Sequence, residues 1–510
     1  MLGGLRCRRW DTTPDPEIKR RLEQFTSGPM KSLRKLSAKP APSARRFLLL
    51  LLAVVASAAA CSKPGPLQLR PRHVILISVD TLRPDRMGIY GYERDTSPNI
   101  DRFFGERSIY RRTQSSAPCT RPAVFDFLSG SLMPDERSSE QAGEAQDSVT
   151  RTLAEILRDR GFRTAAFTTN QNFSPKRHGR GYEAYVNFEH LTSPEQKQGT
   201  AYQVTDRALE WLEEHREESS LHLWVHYFGP HRPFFPPEKV RRYSRTSVVD
   251  KALTDHDRKG QTRPQLQAAS PKGAESAVAS VMQRVPQMTG LSEGVQWHLR
   301  GDALSPAQVK HFRDSYDDDI LFADEQVGRL LHKLEELRMV EQALIVFTSD
   351  HGEWLGEENV WHHCNSLHGR ELHVPLLLSL NGHPLTSTID PRLATSTLDI
   401  LPTVLDLLDI EAPHAMDGGS IRKLKPRRAT ISFWRGTFAV TRGRFKLYRG
   451  EFKGLFDLAN DPDETRDLSE SLPDMAEKLG LELAEYADDL PALVQENREL
   501  IERLKSLGYL

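Results

Sequence analysis

Two short apolar runs in this chain end on side chains able to bind a cation. Residues 74–79 stop at Asp80, and residues 343–347 lead into Thr348-Ser349-Asp350-His351-Gly352-Glu353. Both runs have the length and β-branched character of a buried strand. In open α/β sheets, ligands collect beyond the carboxyl ends of the strands. Two strands that deliver carboxylate and imidazole groups to one edge can therefore close round a single divalent ion. Asp80 alone could equally cap a helix. Its pairing with Asp350 and His351 selects ligation.

The rest of the chain must hold these residues in place. Helical patterns are read at 100–105, at 123–132 after Pro122, at 149–161, at 202–214 and at 305–337. Strands are read at 162–168 and 221–227, the latter followed by Gly229-Pro230-His231-Arg232-Pro233. Residues 395–408 look helical although they contain Pro402. This alternation predicts an α/β fold with a large mixed, mostly parallel sheet sandwiched by helices. From residue 430 the pattern changes to short strands and turns, then a closing helix at 473–486 and a further one to the end. That predicts a smaller C-terminal α+β subdomain with an antiparallel sheet. Residues 73–425 are the expected catalytic domain and 426–510 the subdomain. Residues 245–305 are polar and lack apolar periodicity, so they are read as an insertion.

With 510 residues, 38% hydrophobic and 27% charged, the composition is that of a folded globular chain of one large domain and one smaller one. A net charge of -1 supplies no global field toward nucleic acid, and no nucleic-acid partner is expected. Cys7, Cys61, Cys119 and Cys364 are widely spaced, which suggests neither a disulfide framework nor a zinc site.

Residues 1–61 read as an N-terminal extension ending in a secretory signal. Arg45-Arg46 precede the apolar stretch 47–60, which is shorter than the roughly 20 residues of a bilayer span. Cys61 follows Ala58-Ala59-Ala60 and resembles the lipobox of bacterial lipoproteins. The expectation is an exported protein of the cell envelope, lipid-anchored to a bacterial membrane through Cys61, with 62–72 as a tether. Plain cleavage near Cys61 or an uncleaved anchor are the alternatives. Met30 looks like a better start than Met1.

Several phrases, taken in order, are specific: VDTLRPDRMGIYGY, TSPNIDRF, FTSDHGEWLGE, HVPLLLSLNG and LFDLANDPDE. Together they resemble the sulfatase family of the alkaline phosphatase superfamily, from about residue 74 to the C-terminus apart from the insertion. The resemblance implies one divalent cation on Asp80, Asp350 and His351, Ca²⁺ by family habit, with Mn²⁺ or Zn²⁺ open because a histidine is among the ligands. It also implies a nucleophile on a loop entering a helix, usually the cysteine of Cys-x-Pro-x-Arg after oxidation to formylglycine. Here a proline two residues after the nucleophile puts Thr120 in that slot. Cys119 is one residue early, so no formylglycine is expected and Cys119 is read as a buried free thiol.

A hydroxyl nucleophile needs a cation or a base to activate it. Arg121 is the candidate for holding the substrate's anionic group, since Val124 and Ala123 stand where the family has a basic residue and often a serine. The family's histidine at the transferred group corresponds to His231. His363 corresponds to its Lys or His beside the nucleophile, with His362 as rival. The family lysine after the 162–167 strand is missing, and Thr168-Thr169-Asn170 stand there. Thr81 replaces a second acid, Glu353 is read as a surface or supporting acid, and Trp224, Trp354 and Trp361 as core or pocket wall.

The expected activity is metal-dependent hydrolysis of an anionic sulfate or phosphate ester of a small molecule, glycan or lipid. One alternative is transfer of a phosphoryl headgroup to an envelope acceptor. The other is a degenerate, non-catalytic binder of anionic glycan.

Overall fold

The computed structural model describes residues 70–488 apart from 106–107, 134–149, 171, 189–193, 233, 235, 247–305, 384–392 and 426–427. The signal-like segment with Cys61, nearly all of the tether and the body of the insertion lie outside these residues. In chain order the strands are β1 (His73–Val79), β2 (Ser108–Gln114), β3 (Arg163–Thr168), β4 (Ala184–Asn187), β5 (Leu221–Tyr227), β6 (Ala343–Ser349), β7 (Trp354–Leu355), β8 (Trp361–His362), β9 (His373–Leu380) and β10 (Ala394–Ser396). The helices among them are α1 (Pro98–Phe104), α2 (Thr120–Ser129), α3 (Leu153–Arg158), α4 (Pro194–Glu214), α5 (Pro306–Glu336), α6 (Gly369–Leu372) and α7 (Ile400–Leu408).

Every residue of β1 is buried, as expected for a strand covered on both faces. Side chains alternate across the sheet. Ile75, Ile77 and Val79 pack with α1, α4 and α5, whereas Val74 and Leu76 pack with α2, α3 and α7. The strand order is β10-β2-β9-β6-β1-β5-β3-β4, with β9 alone antiparallel to its neighbours. This is the predicted mixed, mostly parallel sheet between helices. Val79 lies opposite both Tyr227 and Ser349 in parallel register. Three strands thus end at one level, and Asp80 and Asp350 leave the sheet side by side.

Some boundaries differ from expectation, each for a local reason. Residues 394–396 form edge strand β10 beside β2, because Ser396 and Asp399 make a reciprocal cap that delays the helix until Ile400. Thr152 and Glu155 likewise start α3 at Leu153 rather than at 149. In α2, Pro122 lies inside the first turn rather than before the helix. The missing proline N–H has no partner to lose there.

The Arg83 side chain, to which sequence reasoning gave no role, is 2% exposed and reaches Asp85 at 2.7 Å, Glu357 at 2.8 Å and the Glu353 carbonyl at 3.0 Å. It ties the turn after β1 to the segment after His351. Burial by itself would raise the Glu357 carboxyl, but the guanidinium overrides it and holds the group down to about 2. Arg83→Met should therefore cost about 3 kcal/mol in urea unfolding, because the carboxylates lose their partner. A lowered carboxyl contributes fully above its ordinary 4.5, and the contribution fades as pH falls toward 2. The gap between wild type and variant should narrow over that interval.

The C-terminal sheet is antiparallel: β11 (Thr430–Trp434), β12 (Thr437–Arg442), β13 (Phe445–Gly450) and β14 (Gly454–Asp457), with α8 (Pro473–Asp488) packed on it. The phrase LFDLANDPDE has a structural use here. Asp457 and Asp461 accept backbone N–H groups of the turn, while buried Glu464 meets buried Lys446 at 3.0 Å and accepts the Gly369 N–H at 2.8 Å. Lys446 also donates to the Leu367 carbonyl. A buried ion pair therefore joins this sheet to the start of α6.

Candidate active site

Asp80, Asp350 and His351 are fully buried and converge, with one ligand atom from each lying within 4.8 Å of the others. His351 Nε2 is 3.9 Å from Asp80 Oδ1 and 3.5 Å from Asp350 Oδ2. Those two carboxylate oxygens have no hydrogen-bond partner among the described residues. Buried acceptors left bare are costly unless something positive meets them. Burial first, and the Asp350 carboxylate next, push the Asp80 carboxyl well above its usual range.

The histidine fits as well. Its Nδ1–H donates to the Gly352 carbonyl at 2.9 Å, which leaves the lone pair on Nε2, facing the acids. The donor set fits one divalent cation.

The backbone is bent to make this cradle. Thr81 has φ 57, uncommon for a β-branched residue, and its N–H donates to Asp350 Oδ1 at 3.1 Å. Tyr316 of α5 holds the turn by donating to the Thr81 carbonyl at 2.7 Å and accepting from the Arg83 N–H at 3.0 Å. Gly352 lies so close to the Arg370 carbonyl that a Cβ would sit 2.2 Å from it, which explains the glycine in Asp-His-Gly.

Thr120, in the first turn of α2, is brought to the cradle. Its Oγ1 lies 3.1 Å from His351 Nε2 and, with the lone pair on that nitrogen, its O–H donates to it. The preceding loop is held by Ser115, which donates to the Asp350 carbonyl, and by Phe433 of β11, whose N–H donates to the Ser116 carbonyl at 2.8 Å. Cys119 is no free thiol: it forms a disulfide with Cys364, with Cα atoms 4.9 Å apart. The two cysteines are 245 residues apart, so only the fold could reveal the pair. Arg121 is exposed on the first turn of α2, next to Thr120.

Both proposed histidines reach the site. The His363 ring centroid is 4.5 Å from that of His351 and 4.8 Å from that of His231. The rival, His362, meets Arg232 instead, whose Nη1 lies 2.9 Å from its Nε2. His231 donates through Nδ1 to the Arg232 carbonyl. Glu353 is not at the surface. It is fully buried, and both its oxygens lie 3.3 Å from His363 Nδ1. Burial opposes the charge on His363, but the Glu353 carboxylate overrides it and pushes the imidazole up to about 9. Glu371 secures the same loop, accepting the Asn365 and Ser366 N–H groups at 3.0 Å each and Trp354 Nε1–H at 2.9 Å.

Two further residues escaped the sequence reading. Asn170, noted only as part of the stretch lacking the lysine, donates to Asp80 Oδ2 at 2.7 Å. His226 on β5 places Nε2 3.7 Å from the same oxygen, and its Nδ1 lies 2.8 Å from Ser78 Oγ. An alternating strand gives no sign of which inward histidine faces a ligand. The tryptophans are buried, as expected for core or pocket wall.

The comparisons with known proteins agree with this geometry. A family model described as Sulfatase matches residues 72–410. The chain is 23% identical over 447 residues to the N-acetylglucosamine-6-O-sulfatase of Bacteroides thetaiotaomicron, covering 76% of this chain and 77% of that protein. It is 26% identical over 349 residues to human iduronate 2-sulfatase, covering 61% of this chain and 60% of that protein. Among solved structures, the phosphonate monoester hydrolase of Agrobacterium radiobacter matches with a TM-score of 0.61 at 18% identity, over 82% of this chain and 95% of the other. A match that runs from β1 to the end of α7 and takes in every residue of the cradle places the chain in the sulfatase family of the alkaline phosphatase superfamily, as a sulfatase-like hydrolase.

Proposed function

We propose that the chain hydrolyses a sulfate, phosphate or phosphonate ester by in-line attack of Thr120. The observation that carries this is the approach of the Thr120 hydroxyl to within 3.1 Å of His351 Nε2, at the mouth of the acidic cradle. A divalent cation on Asp80, Asp350 and His351 would supply positive charge to the ester's anionic oxygens and to the nucleophile. Thr120 Oγ1 gives up its proton to water and forms a bond to sulfur or phosphorus as the bond to the leaving oxygen breaks. His363 donates its proton to that oxygen, with Glu353 keeping the imidazole charged and oriented. Water then attacks the threonine ester, giving one proton back to His363, and the departing Thr120 oxygen recovers its proton from water. His231 would line the leaving-group side, and Arg121, one residue after Thr120, would meet an anionic oxygen.

A threonine ester lacks the collapse route that formylglycine gives a sulfated intermediate, so phosphoryl and phosphonyl esters are the favoured centres. The named relatives act on sulfated sugars and the structural neighbour on phosphonate monoesters, which sets the range to test. Export and lipidation at Cys61 belong to the same reading, because a lipid anchor would hold the site at a membrane surface.

The test is turnover of 4-nitrophenyl sulfate, 4-nitrophenyl phosphate and a 4-nitrophenyl phosphonate monoester, before and after chelation and with Ca²⁺ or Mn²⁺ added back. The phosphonate or phosphate ester should be cleaved fastest, chelation should stop it, and one cation should restore it. Asp350→Asn should bind no cation by calorimetry. Turnover that survives both chelation and Asp350→Asn would remove the proposal.

A further inference from the structure

The two chain neighbours of the reacting groups are bonded to each other. Cys119 immediately precedes Thr120, Cys364 immediately follows His363, and a disulfide joins them. The Cys364 N–H also donates to the Pro118 carbonyl at 2.9 Å, so the two loops meet along their backbones as well.

The His363 loop needs such a tether. His362 has φ 73 and Cys364 φ 62, so His363 sits between two residues in a conformation that side chains disfavour. On the other side, Cys119 occupies the N-cap of α2, where Ser, Thr, Asp or Asn would accept a helix N–H. No side-chain cap is made there, and the sulfur is committed to the cross-link. The bond packs against an apolar cluster that includes Leu367, Leu372 and Trp434, yet both cysteines remain partly exposed and open to a reductant.

We propose that the Cys119–Cys364 bond is a positioning element that sets the Thr120 hydroxyl against the His363 imidazole, so that turnover depends on its oxidation state. The proposal rests on Thr120 and His363 acting as described above. The bond lies outside the cation cradle, so its loss should lower the chemical rate and spare cation binding. Reduction by a trialkylphosphine breaks the S–S bond. The phosphine becomes phosphine oxide with the oxygen of one water, and each sulfur leaves as a thiol. Reoxidation by glutathione disulfide proceeds by two thiolate exchanges that release two glutathiones.

The experiment uses the full chain and whichever aryl ester the oxidised protein cleaves best. Phosphine should expose two further thiols per chain, lower kcat at least tenfold, and leave KM and Ca²⁺ or Mn²⁺ affinity within twofold. Glutathione disulfide should restore kcat. The double variant Cys119→Ser/Cys364→Ser should match the reduced protein and ignore phosphine, and its serine at 119 can cap α2, which guards against loss of the helix start. Unchanged kcat in the reduced protein or the double variant overturns the proposal. So does loss of cation binding or of the near-UV circular dichroism signal alongside kcat, because the bond would then be only structural. An oxidised protein that cleaves none of the esters fails one step earlier, at the Thr120 reading itself, before any reductant is added.

Discussion

Thr120→Ala should lose at least about 10⁴-fold in kcat while cation affinity and melting temperature stay at wild-type values. The size follows from the role: without the hydroxyl no covalent ester forms, and only the cradle and the flanking dipoles are left to act on the substrate. The side chain is 3% exposed and its hydroxyl lies 3.1 Å from His351 Nε2; the change to alanine removes only that hydroxyl and one methyl group, so it takes little packing from the fold. Thr120→Ser keeps the hydroxyl and should retain activity to within about tenfold. Rapid quenching of wild type should yield a phosphoryl or sulfo adduct on the peptide containing residue 120. Thr120→Ala within about threefold of wild type would mean that another group attacks.

Glu353→Gln carries the second large effect, read most clearly against pH. In the wild type, burial works against the imidazolium but the Glu353 carboxylate holds His363 up at about 9. A raised histidine is fully charged below its ordinary 6.5 and loses its proton as pH rises through the folded value. The wild-type rate should therefore hold through neutral pH and fall toward pH 9, earlier if a bound cation lowers the value. In Glu353→Gln only burial and weaker neighbours remain, so the fall should move to the acid side. Near pH 8 the variant should lose on the order of 10²-fold in kcat, the usual worth of a positioned general acid. The same sign governs stability: the contribution of the pair is whole below pH 6.5 and gone above 9. An alkaline limb that does not move in the variant would take the proton-donor role away from His363.

The sequence disclosed whatever is written locally. The buried runs at 74–79, 221–227 and 343–347 could be read because a strand covered on both faces has few polar residues to blur it. Asp80, Asp350 and His351 were legible because they follow those runs directly. Strand β10 and the start of α7 were not, since Thr395-Ser396-Thr397 suits an edge strand and a helix cap equally well. Contacts across the sheet stayed hidden. Asn170 meets Asp80 only because β3 lies two strands from β1, Glu353 turns inward only because Arg83 anchors the segment after it, and Cys119 finds Cys364 only after the whole sheet is assembled.

Lys446 and Glu464 carry one more consequence. Their ion pair is sealed between the small sheet and the start of α6, and Gly369 and Leu367 share it. Prising the sheets apart would leave the pair together but take away the Gly369 N–H and the Leu367 carbonyl that complete its hydrogen bonding, which couples the melting of the two layers. Heat should open this enzyme as a single cooperative body, and proteolytic removal of the tail sheet would leave no autonomous catalytic half behind.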